Sequence, residues 1–149
     1  MRRTNLFIVG LVLVGGIGLA STMNRVTATI DDAGHNEAAI VEPVDGTSLY
    51  RLTLTERAAE RVGLETAPVA EQQVSGKIQR TIPYSAVIYD ADGGTWAFTT
   101  SEHLTFVRDA INVERIDGDT AYLSDGPAAG TEVVTVGAAE LVGLERYKH

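Results

Sequence analysis

The feature that most constrains the fold is a series of short apolar runs separated by Asp–Gly turns, from residue 81 onward. Such turns occur at 90–94, 117–119 and 125–130, where glycine supplies the positive φ that tight turns need. Runs bounded in this way are typical of strands, and their spacing predicts an antiparallel sheet or a small barrel. The predicted strands are 82–89, 95–100, 104–108, 111–113, 121–123 and 132–136. A final helical turn is expected over 137–143.

A short amphipathic helix is predicted over residues 52–64, before these strands. Thr55 can cap its first turn, or Thr53 can do so together with Glu56 in a capping box. Gly63 suits the left-handed conformation that often ends a helix. The apolar face of the helix, at a spacing of four residues, consists of Leu54, Ala58 and Val62.

The segment between this helix and the strands carries a weaker pattern. Residues 65–70 predict the start of a strand, and Pro68 favours an edge position because proline cannot donate a hydrogen bond to the sheet. Residues 72–79 are polar, with Val74 and Ile78 alternating loosely, which fits either a strand or a loop.

The chain opens with a basic start and a long apolar segment. Arg2 and Arg3 precede residues 6–20, which carry no charge. As a cleaved signal peptide, this segment is at the top of the usual range of about 7–15 apolar residues. As a retained anchor, a helix over 4–23 just spans a bilayer core of about 30 Å. Both interpretations place the rest of the chain outside the cytoplasm, as a single-pass membrane protein or, after cleavage, as a secreted or periplasmic protein.

These patterns together predict a mainly β fold. We expect a small antiparallel sheet or barrel-like domain with one short helix, preceded by an N-terminal transmembrane or signal helix. The corresponding division of the chain is a signal anchor or signal peptide at 1–25, a flexible linker at 26–51 and the β-rich domain at 52–149.

Composition excludes several classes of function. The net charge is −8, and outside the first 30 residues acidic side chains far outnumber basic ones. Nucleic-acid binding is not expected, because phosphate contacts need clusters of lysine and arginine. The chain has no cysteine, so disulfides, cysteine-ligated zinc and a lipoprotein anchor are excluded.

No residue pattern predicts catalysis, a cofactor site or a metal site. Asp90 and Asp92 suggest a calcium loop, but positions 5 and 12 of that template fall on Gly94 and Ser101, which do not fit. A turn is the better interpretation. His35 lies in the linker, and neither a nucleophile elbow nor a phosphate-binding loop is present.

The strand region resembles the membrane-proximal part of periplasmic adaptor proteins, also called membrane fusion proteins, of tripartite efflux systems. The resemblance covers residues 81–143 and extends more faintly back to Leu52. The motifs that carry it are Pro83, Trp96 with Phe98, Phe106 to Arg108, Asp117 to Asp119, and Gly130 to Gly137. The lipoyl-like domain and α-helical hairpin that the family places upstream are absent from this sequence, so contact with an outer channel is not implied.

By this resemblance, we expect a non-enzymatic, membrane-anchored extracytoplasmic protein that docks on a membrane transporter subunit to support export. The residues suggested for partner contact are Arg108, Trp96 and Phe106, although aromatic residues at such spacing more often form the core of a small sheet. Two alternatives stay open: a free-standing cell-envelope binding or sensing module with the same fold, and an enzyme or metal-binding protein.

Overall fold

The computed structural model describes residues 38–147. The predicted membrane or signal helix at 1–25 and most of the first half of the predicted linker lie outside these residues. Within the described part, neither helix is long and apolar enough to cross a bilayer. The chain forms two antiparallel sheets and two α-helices, so the prediction of a mainly β fold is confirmed, whereas two helices are present instead of one.

Eleven strands, two α-helices and one 3-10 turn make up the described part. In chain order they are β1 (Ala39–Pro43), β2 (Tyr50–Leu54), α1 (Glu56–Val62), β3 (Glu65–Pro68), β4 (Ala70–Val74), β5 (Lys77–Pro83), the 3-10 turn (Tyr84–Ala86), β6 (Ile88–Tyr89), β7 (Thr95–Glu102), β8 (Thr105–Ala110), β9 (Asn112–Asp117), β10 (Thr120–Asp125), β11 (Glu132–Val136) and α2 (Ala138–Arg146).

The larger sheet has seven strands, in the order β1-β2-β8-β7-β11-β3, with β6 pairing β7. Alternate residues of these strands face the two helices and form an apolar core with them. The buried members of this core are Leu52, Leu54, Ala58, Ala59, Phe98, Phe106, Val134, Ala138 and Leu141. We call this side of the sheet the helix-covered face.

The smaller sheet has four strands, in the order β4-β5-β10-β9, and packs on the opposite face of the larger sheet. Its inward residues Ile82, Ala121 and Leu123 are at most 2% exposed and join Ala97 and Val133 of the larger sheet. Because neighbouring residues of a strand point to opposite faces, β7 and β11 bury both faces, one toward the helices and one toward the smaller sheet.

The predicted helix at 52–64 is shorter than expected. Leu52 and Leu54 lie on β2, where their two-residue spacing buries both against the core, so the capping box with Thr53 is wrong. The helix begins at Glu56, and Thr55 Oγ1 accepts a hydrogen bond from the amide of Ala58 at 3.2 Å. The predicted cap at Gly63 is confirmed, with φ of 66°.

The predicted continuous strand at 82–89 is also wrong. The strand β5 ends at Pro83, the 3-10 turn follows, and β6 then joins the other sheet. Proline has no amide proton to continue the ladder, and the Tyr84 amide instead donates to the carbonyl of Asp119 at 2.8 Å. The run is apolar along most of its length because its first part packs in the core between the two sheets and its last part packs in the core under the helices.

Predictions for the edge strand at Pro68 and for a final helical turn are confirmed. Pro68 lies on β3, an edge strand of the larger sheet. The uncertain segment 72–79 forms the hairpin of β4 and β5, turned by Ser75 and Gly76 with φ of 51° and 81°. The final helical turn extends into the nine residues of α2. The strand β1 falls within the segment 26–51 expected to be a linker, and it pairs with β2 at the edge of the sheet.

Candidate docking site

Two of the three residues suggested for partner contact meet on the helix-covered face, at the end that lies near α2. Trp96 projects from β7 and Arg108 from the neighbouring strand β8. The Arg108 guanidinium carbon lies 5.0 Å from the centre of the Trp96 ring. At this distance a cation is attracted to the face of an aromatic ring, so the two side chains hold each other in place.

Arg108 also forms an ion pair with α2. Its Nε lies 2.7 Å from Oε2 of Glu145, whose side chain is 4% exposed. The Nε–H does not align with a carboxylate oxygen as a hydrogen bond requires, and the contact is therefore mainly one between opposite charges. The pair joins the C-terminal turn of α2 to the sheet, so Arg108 is engaged within the chain.

Trp96 is fixed from its other side by the turn between β6 and β7. Its indole Nε1–H donates to Oδ2 of Asp90 at 2.7 Å, while Oδ1 of Asp90 accepts the amides of Gly94 at 2.6 Å and Asp92 at 3.0 Å. These hydrogen bonds, that from Trp96 foremost, lower the pKa of Asp90. One carboxylate oxygen is thus used by the amides of the turn and the other by Trp96, in agreement with the turn interpretation.

A small cavity of about 280 Å³ lies beside this cluster, lined in part by Asp90, Arg108 and Glu145. Within residues 38–147, no group of three or more histidine, aspartate and glutamate side chains is placed to hold a metal ion. Arg108 and Glu145 pair with each other, and Asp90 is bound by Trp96 and the turn, so these three side chains offer little free binding capacity.

Phe106, the third suggested residue, is 2% exposed and belongs to the core. It underlies a wider groove at the other end of the helix-covered face, between α1 and the turn that joins β7 to β8. This groove has a volume of about 360 Å³. We call it the acidic groove. Its lining includes Leu64, Thr100, Glu102, His103, Leu104 and Glu132.

A second depression of about 320 Å³ shares Ala59 and Leu64 with the acidic groove. Its rim adds the carboxylates of Glu56, Glu60 and Glu65. The two depressions therefore form one continuous surface that runs past the end of α1, apolar along its floor and acidic along its rim.

The outer face of the smaller sheet contrasts with this surface, because its polar side chains bind one another. The hydroxyl of Tyr122 donates to Oε1 of Gln72 at 3.0 Å, and the Arg115 guanidinium lies 3.5 Å from the Tyr122 ring centre. Gln79 donates to Glu114 at 2.5 Å. These polar side chains are therefore engaged with one another rather than free for a ligand.

The side chains of His103 and Ser124 each make one polar contact within the described part of the chain. His103 Nε2 lies 2.8 Å from Oε1 of Glu56, and both side chains are well exposed. The hydroxyl of Ser124 donates to the carbonyl of Asn112 at 3.3 Å. Neither contact brings a nucleophile to a base.

Comparisons with family models, with curated proteins and with solved structures gave no match to this chain.

Sequence reasoning did not anticipate the acidic groove. Its walls come from α1, from β7, β8 and their turn, and from β3 and β11, which are far apart in the chain. Glu145 was also missed, because the final helix was predicted to end at 143. A helical pattern extended by one turn would have placed Glu145 near the sheet, but no pattern in the sequence pairs it with Arg108.

Proposed function

We propose that this protein is a non-enzymatic, membrane-anchored extracytoplasmic docking protein that resembles the membrane-proximal part of an efflux adaptor. It would comprise an N-terminal transmembrane or signal helix, a linker and a barrel-like β domain. Its role would be to bind a membrane transporter subunit and support export. The membrane anchor would raise the local concentration of the domain beside its partner.

The observation that most supports this proposal is that three of the five motifs behind the resemblance form one connected unit. The aromatic pair lies on β7, and the Phe-Val-Arg motif lies on β8 beside it. The Gly130 to Gly137 motif encloses β11, which pairs with β7. These three motifs thus build central strands of the larger sheet and hold α2 through Arg108, whereas Pro83 and Asp117 to Asp119 lie in the smaller sheet.

The arrangement of the charged and apolar groups also favours binding over chemistry. The described surface offers a groove with an apolar floor and an acidic rim, whereas Asp90, Arg108 and Glu145 near Trp96 are engaged in contacts within the chain. A protein that binds through such a surface needs no reactive group.

Crosslinking in membranes followed by affinity purification tests this proposal. The tagged full-length chain would be produced in its native host, and we expect a transporter permease to be enriched. The control is residues 1–37 fused to an unrelated soluble domain, which retains the predicted anchor without the β domain. Equal recovery of the permease with both proteins would contradict the proposal and favour a free-standing binding module.

N-terminal sequencing of the mature protein tests the membrane part separately. An intact N-terminus beginning at residue 1 or 2 is expected for a retained anchor. A new N-terminus shortly after residue 20 would show cleavage, and docking would then depend on the β domain alone.

A further inference from the structure

We propose that the acidic groove binds a segment of a partner protein that presents a lysine or arginine side chain flanked by apolar residues. The inference rests on the proposed function in one respect, that the occupant is a protein. The site and the chemistry of the occupant follow from the groove itself.

The apolar part of the groove can hold an aliphatic side chain. Leu64, just after α1, and Leu104, in the turn between β7 and β8, form parts of its lining and remain half-buried. Leu104 adopts a φ of 55°, which is uncommon for a residue other than glycine. Covering these two side chains would remove further apolar area from water, which favours binding.

The charge of the groove specifies a cation. Glu132 projects from β11 in register with Thr100 of β7, and its side chain is half-buried. Its carboxylate forms no hydrogen bond or ion pair with any of the residues that the structure describes. A carboxylate without a partner in the described chain is available to an incoming ammonium or guanidinium group, which would pair with it at the groove.

The rest of the rim reinforces this preference. Glu102 is exposed at the mouth of the groove, and Glu65 lies on the adjoining depression. Among the described lining residues the one basic group is His103, which is already paired with Glu56. The field at the groove is therefore negative, and it would attract basic segments and repel acidic ones.

The size of the groove is suited to a side chain rather than to a large ligand. Its volume of about 360 Å³ is at the lower end of the range of small-molecule pockets, about 300–1,000 Å³. The continuation past α1 gives room for residues on either side of the basic one. An extended segment with one basic anchor and neighbouring apolar residues fits this shape.

Binding of labelled peptides to the full-length chain in detergent tests the inference. The probe is a fluorescein-labelled peptide of alternating lysine and leucine. One matched peptide carries glutamate in place of lysine, and the other carries serine in place of leucine. We expect the lysine–leucine peptide to bind, with an affinity that falls as salt is added, and both matched peptides to bind weakly. Equal binding of either matched peptide would overturn the proposal.

Variants then locate the site. Glu132→Gln keeps the shape of the side chain but removes its charge, and we expect the affinity for the lysine–leucine peptide to fall by about tenfold. Glu140→Gln is the matched control, because Glu140 is exposed on α2 and does not line the groove. An equal effect of the two substitutions, or no effect of Glu132→Gln, would overturn the proposal.

Leu104→Asn tests the apolar part of the groove. Asparagine adopts a positive φ more readily than leucine, so this variant should keep the turn while losing the apolar contact. We expect weaker peptide binding with an unchanged far-ultraviolet circular dichroism spectrum. Unchanged binding by a folded Leu104→Asn variant would show that the groove does not recognise apolar residues.

The failure of this inference can be distinguished from failure of the proposed function. If the permease is captured equally by the native chain and by Glu132→Gln, the transporter binds elsewhere and the groove proposal is wrong. If the peptide binds through Glu132 but no permease is captured, the groove proposal stands and the transporter role does not.

Discussion

Under α2, the helix-covered face is completed by the chain itself, whereas under α1 it is left open. At the α2 end, the strand cation Arg108 meets Glu145, which is 4% exposed. At the α1 end, the strand carboxylate Glu132 meets no cation among the residues that the structure describes. The same sheet thus carries one charge that is neutralised by folding and one that is available for a partner.

The difference arises from the lengths and positions of the two helices. The helix α2 has nine residues and lies over β1 and β2, and its last turn reaches Arg108. The helix α1 has seven residues and stops at Gly63, which leaves the ends of β7 and β11 uncovered. The Arg108–Glu145 pair should therefore govern stability, whereas Glu132 at the open end should govern binding.

The largest expected effect comes from removing the anchor of α2. Leu141 is 1% exposed in the core beneath the helices, and Leu141→Ala should lower the free energy of unfolding by about 4 kcal/mol through lost burial and a cavity. Leu144→Ala, at a half-buried position of the same helix, should cost less. Urea unfolding followed by circular dichroism would measure both, and equal losses would show that α2 is not anchored through Leu141.

The ion pair should come next. Glu145→Gln leaves Arg108 without its countercharge and should cost about 2–3 kcal/mol, less than a fully buried pair because the Arg108 side chain keeps 21% exposure. Arg108→Met alone and combined with Glu145→Gln completes a double-mutant cycle. Strictly additive free energies of unfolding would show that the two residues do not stabilise each other.

A stabilising substitution in α2 tests the closed end of the helix-covered face from the opposite direction. Gly143 lies inside α2, and a methyl group added there would meet no atom within 4 Å. Gly143→Ala should raise the free energy of unfolding by about 0.5–1 kcal/mol, because alanine favours the helix. Gly137→Ala is the contrasting variant, since Gly137 has a φ of 90° and its added methyl would lie 2.6 Å from Val62. Destabilisation by Gly143→Ala would indicate that α2 ends earlier.

The parts of the fold that the sequence predicted correctly are those that depend on near neighbours. The cap at Thr55 bonds an amide three residues away, and the turn at Asp90 bonds amides two and four residues away. The closing strand at 132–136 and the hairpin turn at Gly118 also follow from local composition. Each requires only the residue types in one short segment.

The parts that it could not predict depend on which sheet a segment joins. Leu52 and Leu54 fall in the predicted helix, Leu54 on its apolar face, but pairing of β2 with β8 places both on a strand. Residues 82–89 have the same apolar composition whether they form one strand in one core or are divided between two cores. The acidic groove and the Arg108–Glu145 pair require the strand order of the larger sheet, which residue patterns do not encode.

At the open end, removing the charge should have almost no effect on stability. Glu132→Gln should change the free energy of unfolding by less than about 0.5 kcal/mol, as is usual for a substitution that breaks no contact. The matched comparison is Glu145→Gln, which makes the same chemical change at the closed end. A loss from Glu132→Gln as large as that from Glu145→Gln would remove the contrast between the two ends.

The smallest effect is a change in the environment of Trp96 at low pH. Trp96 is the one tryptophan of the chain, so its fluorescence reports on the hydrogen bond to Asp90. The folded protein holds the pKa of Asp90 below its ordinary value of 3.8, chiefly through this bond. The stability that this hydrogen bond contributes is fully present above the ordinary pKa of Asp90. It is lost as the pH falls through the lowered pKa of Asp90 in the folded protein. Fluorescence should therefore change in a step below pH 3.8, and Asp90→Asn should abolish that step. A step that persists in Asp90→Asn would mean that another group controls the Trp96 environment.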